Sequence, residues 1–332
     1  MSRQVMSWAM VGACWLVALS ACGSAPGLVT PTVLPSPPTI ASSPMPPPTI
    51  APPQEEPMQQ DVRDGDTAVV VDPVANLYSQ PTVSADVVTQ AILGTGVALW
   101  EARDGWYYVR LPDLYQGWIE ARHLRLYDPQ ETPYASAGQV AQVRSLLAFL
   151  YREPDVTTHA PAMQVTLSTR LELVEVRNER WLRVALPDRS ERWIQQGDVE
   201  IVDGAAAVPR GTAEDVIATA RRFLGLPYLW GGSTPLGIDC SAYVQLAYHL
   251  HGVELLRDAD IQYDQPGLAP VERDALQPGD LIFFGTASIT HVGLYIGDGQ
   301  FIHATTHVHP VVQISHLDEP HWTGLYYGAR RP

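Results

Sequence analysis

A chain of 332 residues has room for two or three domains. Its 36 acidic and 21 basic residues leave a net charge of −15, which argues against nucleic acid or an anionic lipid surface as an electrostatic partner and leaves amine-bearing ligands open. The aromatics are 14 Tyr and 9 Trp against 5 Phe. Such amphipathic rings serve as half-buried core and as platforms for carbohydrate or peptide, core being the commoner use.

The N-terminal apolar segment runs from Trp8 to Leu19, behind a short start that carries Arg3. It is too short for a membrane span and reads as the apolar region of an export signal. It closes on Leu19-Ser20-Ala21-Cys22, followed by Gly23. Small residues ahead of a Cys at this place resemble the bacterial lipobox, so residues 1–22 are expected to be a lipoprotein signal with Cys22 as the site of lipid attachment. An ordinary cleaved signal with an incidental Cys is the other reading. Each buried acyl CH₂ adds about 0.8 kcal/mol, so two or more chains hold a protein on a membrane surface. Residues 23–62 follow as a Pro-rich disordered linker, with twelve prolines between positions 23 and 60. Neither helix nor strand uses such a run. Fully extended, it is a spacer of about 100 Å.

An internal repeat comes next. "GWYYVRLPDLYQGWI" (105–119) aligns with "RWLRVALPDRSERWI" (180–194), and "NLYSQP" (76–81) with "FLYREP" (149–154). Short alternating segments such as "VALWEA" and "LELVEVR", separated by Pro-Asp and Gly turns, predict two small all-β barrels over residues 63–128 and 138–203. The pattern resembles the bacterial SH3-like domain. The second copy has Arg180 for Gly105 and Arg192 for Gly117, so its turns are expected to differ.

From about residue 210 to 332 the grammar is α+β. Thr212 with Asp215 reads as a capping box ahead of "AEDVIATARRFLG". A second helix is expected over "CSAYVQLAYHLHG", then strands in "DLIFFG", "HVGLYIG", "QFIHA", "VVQIS" and "GLYYGARR". Asp239 suits the N-cap of the second helix and puts Cys240 at its first position. Free N–H groups and the helix dipole there favour a thiolate. With Cys14 and Cys22 in the leader, Cys240 has no partner in its own chain. A buried structural thiol is the alternative, and the helix start favours a nucleophile. On that reading iodoacetamide labels Cys240 rapidly at neutral pH.

A nucleophilic Cys needs a base and the base an orienter. His291 opens one strand and His303 lies in the next, across Gly297-Asp298-Gly299. A two-residue Asp-Gly turn would pair His303 with Leu294 and separate the imidazoles. A three-residue loop pairs His303 with Gly293 and makes the two histidines diagonal neighbours on one face. The catalytic reading therefore requires the three-residue loop.

"PYLWGGSTPLGIDCSAYVQLAYHLHG", "LQPGDLIFF" and "HVGLYIGDGQFIHA" together resemble the NlpC/p60 family of papain-like cysteine peptidases. The resemblance implies a multidomain protein: two small all-β SH3-like barrels followed by an α+β papain-like (NlpC/p60) catalytic domain over 210–332. It implies Cys240 as nucleophile, His291 as general base and acid, and His303 as its orienter, with Ala242 standing where most members have Gly. The layout is similar to γ-D-glutamyl-L-diamino acid endopeptidases. These cut the γ-D-glutamyl–diamino acid bond of peptidoglycan stem peptides that carry a free N-terminal L-Ala. Carried over, Asp239 pairs with the substrate ammonium and Ser241 hydrogen-bonds it. Tyr228 and Trp230 line the cleft, and Tyr115 contributes from the first barrel. Arg257, Asp258 and Gln262 are further candidates to position substrate. No cofactor is implied, and the expected partners are stem peptides or muropeptides and, through the lipid anchor, a membrane. The expected location is exported and membrane-anchored, facing the cell envelope. Two rival readings stand beside this one: a metal site at His303, His307 and His309, and a wall-binding lipoprotein whose peptidase fold is an amidase, an acyltransferase or inactive.

Overall fold

The computed structural model describes residues 62–332 except 64 and 129. The expected export signal, Cys22 and the Pro-rich stretch to residue 61 lie outside the described residues. Among the described residues no helix is long and apolar enough to cross a membrane.

The first barrel is built from β1 (Thr67–Val70), β2 (Val74–Tyr78), β3 (Val87–Ile92), β4 (Gly96–Arg103), β5 (Trp106–Arg110), β6 (Gln116–Glu120) and β7 (Leu124–Leu126). The second contains β8 (Gln139–Val143), β9 (Leu147–Tyr151), β10 (Met163–Thr166), β11 (Arg170–Val176), β12 (Trp181–Ala185), β13 (Glu191–Gln195) and β14 (Val199–Asp203). The sheet orders are β3-β2-β6-β5-β4-β1-β7 and β10-β9-β13-β12-β11-β8-β14, which is one topology used twice. The repeated residues do the same jobs. Tyr78 meets Trp106 edge to face at 5.5 Å, and Tyr151 meets Trp181 likewise at 5.4 Å. In both Leu-Pro-Asp loops one residue takes a positive φ, Leu114 (72°) and Arg189 (66°). The turns differ where the sequences do. Asp104 and Gly105 form a tight turn with both φ positive. In the second copy Asn178 Oδ1 instead accepts from the N–H groups of Arg180 and Trp181.

The C-terminal domain adds α1 (Ala213–Arg221), the short pair β15 (Ser233–Thr234) and β16 (Gly237–Ile238), and α2 (Cys240–His249). Then come α3 (Ala259–Tyr263), β17 (Ala269–Val271), β18 (Leu281–Gly285), β19 (Ile289–Gly297), β20 (Gln300–Thr305), β21 (Val311–His316), α4 (Pro320–Leu325) and β22 (Tyr326–Arg331). The Thr212–Asp215 capping box forms as expected and opens α1. The main sheet is antiparallel, in the order β17-β22-β18-β19-β20-β21. Phe223, Tyr243 and Ala247 pack α1 and α2 on one side of it, against Phe283, Leu294 and Ile302. Ile282, Phe284, Phe301 and Trp322 form a second cluster. Burying each such side chain contributes about 1.5–3 kcal/mol.

The β19–β20 connection corrects one expectation. Asp298 (φ 51°) and Gly299 (φ 74°) make a two-residue turn, with Gly297 opposite Gln300. A bulge between Tyr295 and Gly297 then shifts the register, so Leu294 faces Ile302. Continued one step, that register sets His303 across from Gly293. The pairing needed by the catalytic reading arises from a short turn plus a bulge, not from a three-residue loop.

The first barrel docks on the C-terminal domain through β3 and the 111–115 loop. Ser233 donates its N–H to Gln90 Oε1 (3.0 Å) and its hydroxyl to the Gln90 carbonyl (3.2 Å). Gly231 (φ +70°) lies so near that a Cβ would stand 2.4 Å from the Val87 carbonyl oxygen. Gln245 Nε2 donates to Asp113 Oδ2 at 3.1 Å. The second barrel adds Leu167 and Leu146 to the catalytic core.

Candidate active site

Asp239 sits in an extended conformation before α2 and accepts the Ala242 N–H at 2.8 Å through Oδ1. That cap makes Cys240 the first helical residue, and Cys240 retains 7% exposure. Cys240 packs in one cluster with Val292, the neighbour of His291 on β19, whose backbone N–H favours the thiolate, as does that of Ser241. His291 Nε2 and His303 Nδ1 are 2.7 Å apart, and His303 Nε2 is 3.1 Å from Ser315 Oγ. Sulfur, two imidazoles and a hydroxyl are thus gathered around β19, β20 and β21. Gly293 leaves the gap across which the two rings meet. A Cβ there would stand 2.7 Å from the Phe301 ring and 3.3 Å from His303 Cβ.

Burial decides the charge states here. It pushes the Cys240 thiol up to about 12, and the Asp239 carboxylate adds to the rise. The Val292 N–H and Arg257 pull the other way with less effect. Burial likewise takes His291 down to about 3, with His321 adding to the fall, and His303 well below its ordinary range. In the free protein burial thus opposes the thiolate that the helix start favours. Burial therefore favours the neutral thiol and neutral imidazoles over a charged pair in the free protein.

Trp322 was not singled out from the sequence. It is 2% exposed on the single-turn α4, stacks on His291 at 5.3 Å and meets His303 edge-on at 4.7 Å. It is the wall that holds both rings. The signal available was only an aromatic after Pro320.

The expected substrate residues separate into groups. Asp239 has both oxygens engaged by Arg257, at 3.0 Å and 2.6 Å, and Ser241 donates its hydroxyl to Asp239 Oδ1 at 3.1 Å. Gln262, fully buried, donates to the carbonyls of Ser241 and Leu256 and so braces the start of α2. Tyr228 is half-buried, and the electrostatic effect of Cys240 adds to the burial that raises its hydroxyl. Trp230 is 71% exposed in the turn that rests on β3. Tyr115 donates to Asp258 Oδ2 at 2.8 Å across the barrel junction. The Asp258 carboxylate makes no cap bond to α3, and among the described residues no salt bridge includes it. Burial raises it. Its hydrogen bond from Tyr115 and the nearby Arg257 charge act against that rise.

His307 stacks on His321 at 3.8 Å, away from His309, and no cluster of three or more His, Cys, Asp or Glu able to hold a metal occurs among the described residues. Behind α2 a cavity of about 640 Å³ opens where the three domains meet, lined by Gln245, His249, Asp113 and Ser168 among others. Neither Cys240 nor the histidine pair lines it.

A cysteine at a helix start, packed on an antiparallel sheet that presents paired histidines, defines a cysteine peptidase of the papain-like kind. The model of the NlpC/P60 family matches residues 225–331. The bacterial dipeptidyl-peptidase Sh3 domain matches 77–124 and the YKFC SH3b2 domain 143–201. A gamma-D-glutamyl-L-lysine dipeptidyl-peptidase of Bacillus cereus is 34% identical over 255 residues, covering 73% of this chain and 74% of that one. Dipeptidyl-peptidase 6 of Lysinibacillus sphaericus is 30% identical over 275 residues, covering 76% and 93%. The crystal structure of an NlpC/P60 family protein from Bacillus cereus superposes with a TM-score of 0.70 at 28% identity, covering 80% of this chain and 99% of that one. The chain belongs to the NlpC/P60 family of cysteine peptidases, with two SH3b-type domains ahead of the peptidase domain.

A neutral resting thiol has a measurable signature. The rate at which iodoacetamide alkylates Cys240 in the free protein should climb about tenfold per pH unit from pH 7 to 10, because the thiolate fraction does. A rate already level below pH 8 would show a preformed thiolate and contradict this.

Proposed function

We propose that the protein is a cell-wall hydrolase, an endopeptidase that cleaves the γ-D-glutamyl–diamino acid bond of peptidoglycan stem peptides with a free N-terminal L-Ala. The observation that carries it is the pairing of two features: α2, headed by Cys240, packed on β19, which carries His291 of the His291–His303–Ser315 chain, and the Tyr115–Asp258 pair where the first barrel meets the peptidase domain. The names of the relatives from Bacillus and Lysinibacillus support the bond and the substrate class.

In this reading the Cys240 sulfur attacks the γ-carbonyl of D-Glu as its proton passes to His291. The N–H of Cys240, with no carbonyl inside its own helix to bond, faces the developing oxyanion, and the Tyr228 hydroxyl is the neighbouring donor. His291 returns the proton to the leaving amine of the diamino acid, and the acyl group remains on sulfur as a thioester. Water, deprotonated by His291, then attacks the thioester and the thiol re-forms. His303 holds the His291 ring in place through the 2.7 Å contact and is held in turn by Ser315. The substrate ammonium pairs with Asp258 beside Tyr115, because Asp239 is already neutralised by Arg257. A blocked N-terminus leaves the Asp258 carboxylate without that partner, at a cost of several kcal/mol.

The same reading places the protein outside the cytoplasm, held to a membrane by acylated Cys22, with residues 23–62 as the spacer.

Cys240→Ala should lower hydrolysis of L-Ala-γ-D-Glu-L-Lys by more than about 10⁴-fold with an unchanged melting curve. Activity within tenfold of the parent would overturn the assignment. The N-acetylated tripeptide should be cut about 100-fold more slowly, and Asp258→Asn should erase most of that preference. Equal rates for free and acetylated substrate would remove the amine from the reading. For the anchor, the full-length protein from membranes should partition into Triton X-114 and the Cys22→Ala variant into the aqueous phase. Identical partitioning would argue against acylation.

A further inference from the structure

Among the described residues Arg257 is the largest fully buried side chain, with 1% exposure. Its guanidinium reaches three residues, at the start of α2 and on β3. Nη1 donates to Asp239 Oδ1 and to Ser241 Oγ, each at 3.0 Å, and Nη2 donates to Asp239 Oδ2 at 2.6 Å. Nε donates to Thr89 Oγ1 at 2.9 Å, and Thr89 lies buried on β3 of the first barrel. The next residue, Asp258, takes the Tyr115 hydroxyl of the same barrel. Adjacent residues of one loop therefore join the first barrel at two points, one beside the nucleophile's cap and one at the proposed amine site.

Stability alone does not explain this arrangement. A buried ion pair roughly balances its own desolvation, and apolar side chains of similar volume often do as well or better. What such a pair supplies is geometry. Asp239 Oδ1 accepts from Ala242 N–H, Ser241 Oγ and Arg257 Nη1, so the carboxylate that sets the first turn of α2 is fixed from three directions. Its charge stands next to the sulfur and opposes the thiolate, while that of Arg257 favours it. The planar fork matches the carboxylate in a way a lysine ammonium does not.

We propose that Arg257 is a positioning residue of the peptidase reaction: it neutralises and fixes the Asp239 cap and ties it to Thr89, so that docking of the first barrel and readiness of Cys240 are one coupled state. The first barrel is then part of the catalytic apparatus as well as a wall of the cleft. This rests on Cys240 being the nucleophile.

The test uses the full-length protein and L-Ala-γ-D-Glu-L-Lys, with kcat, KM, melting temperature and the alkylation rate of Cys240 at pH 9 as readouts. Arg257→Met should lower kcat about 100-fold and alkylation about tenfold, with KM within threefold. Adding Asp239→Asn keeps a capping side chain but removes the stranded charge, and should return at least about tenfold of the lost kcat. Arg257→Lys should restore little. Thr89→Val, which cuts only the link to the barrel, should lower kcat about three- to tenfold at unchanged KM. A rise in KM alone would make Arg257 a substrate ligand, and failure of Asp239→Asn to rescue Arg257→Met would remove the coupling. If Arg257→Met does not fold, Thr89→Val decides, and parental kcat and alkylation in that variant overturn the proposal. Failure of the underlying reading looks different: wild-type protein alkylated at Cys240 would remain active, whatever the Arg257 variants do.

Discussion

The structure depends on holding one sulfur where a helix begins. Cys240 heads α2 and packs on β19, the strand that carries His291, the base of the proposed mechanism. Each demand falls on a different neighbour. Asp239 terminates the chain's extended run and starts the helix, while Cys240 packs with Val292 of the strand. Gly293 keeps the space in which His291 and His303 meet, and Trp322 supports both rings. The cost of this convergence is desolvation. Burial favours the uncharged form of the thiol and of both imidazoles, and the Asp239 carboxylate beside the sulfur is paired with Arg257. In the proposed mechanism charge separation belongs to the reaction itself, when the tetrahedral oxyanion and the imidazolium form together and the helix amides have something to stabilise.

Two barrels of one topology contribute unequally, and a single position shows why. Their Leu-Pro-Asp loops have the same backbone, closed by the Leu111 and Leu186 N–H groups on the carbonyls of Tyr115 and Ser190 at 2.8 Å in each. In the first barrel the residue after the turn is Tyr115, whose hydroxyl crosses to Asp258. In the second it is Ser190, whose side chain turns back to Asp188 within its own loop. The second barrel instead supplies Leu146 and Leu167 to the peptidase core and the Arg144 carbonyl to Arg222 at 2.6 Å. It braces, whereas the first barrel reaches the site. One fold serves both roles because the difference lies in side chains that leave the sheet.

Much of this was legible in the sequence because it is written in local patterns. The 75-residue offset between the Trp and Leu-Pro-Asp positions announced two copies of one barrel. Thr212 with Asp215, and Asp239 before Cys240, announced two helix starts at the places where they occur. The histidine pairing was reached through the wrong turn, because a β-bulge has no reliable sequence mark and changes the register by the same one residue as a longer loop. The engagement of Asp239 by Arg257 was hidden for a similar reason: eighteen residues of sequence separate what the fold brings to 2.6 Å. Asp239 and Asp258 look equally available as letters, and only burial and partners distinguish them. The protonation of Cys240 could not be read either, since a helix start argues for an anion and only the packed site shows how far water is excluded. Trp322 escaped because α4 is one turn long and has no periodicity to display.

The most direct test of Cys240 as nucleophile is the covalent state it must pass through. Full-length protein mixed with excess L-Ala-γ-D-Glu-L-Lys, quenched in acid within the first turnover and digested for mass spectrometry, should carry an L-Ala-γ-D-Glu thioester on the peptide that contains Cys240. The adduct should rise before free dipeptide appears and be missing from the Cys240→Ala variant. Release of dipeptide at full rate with no adduct at any time, or an adduct on a peptide without Cys240, would contradict the assignment.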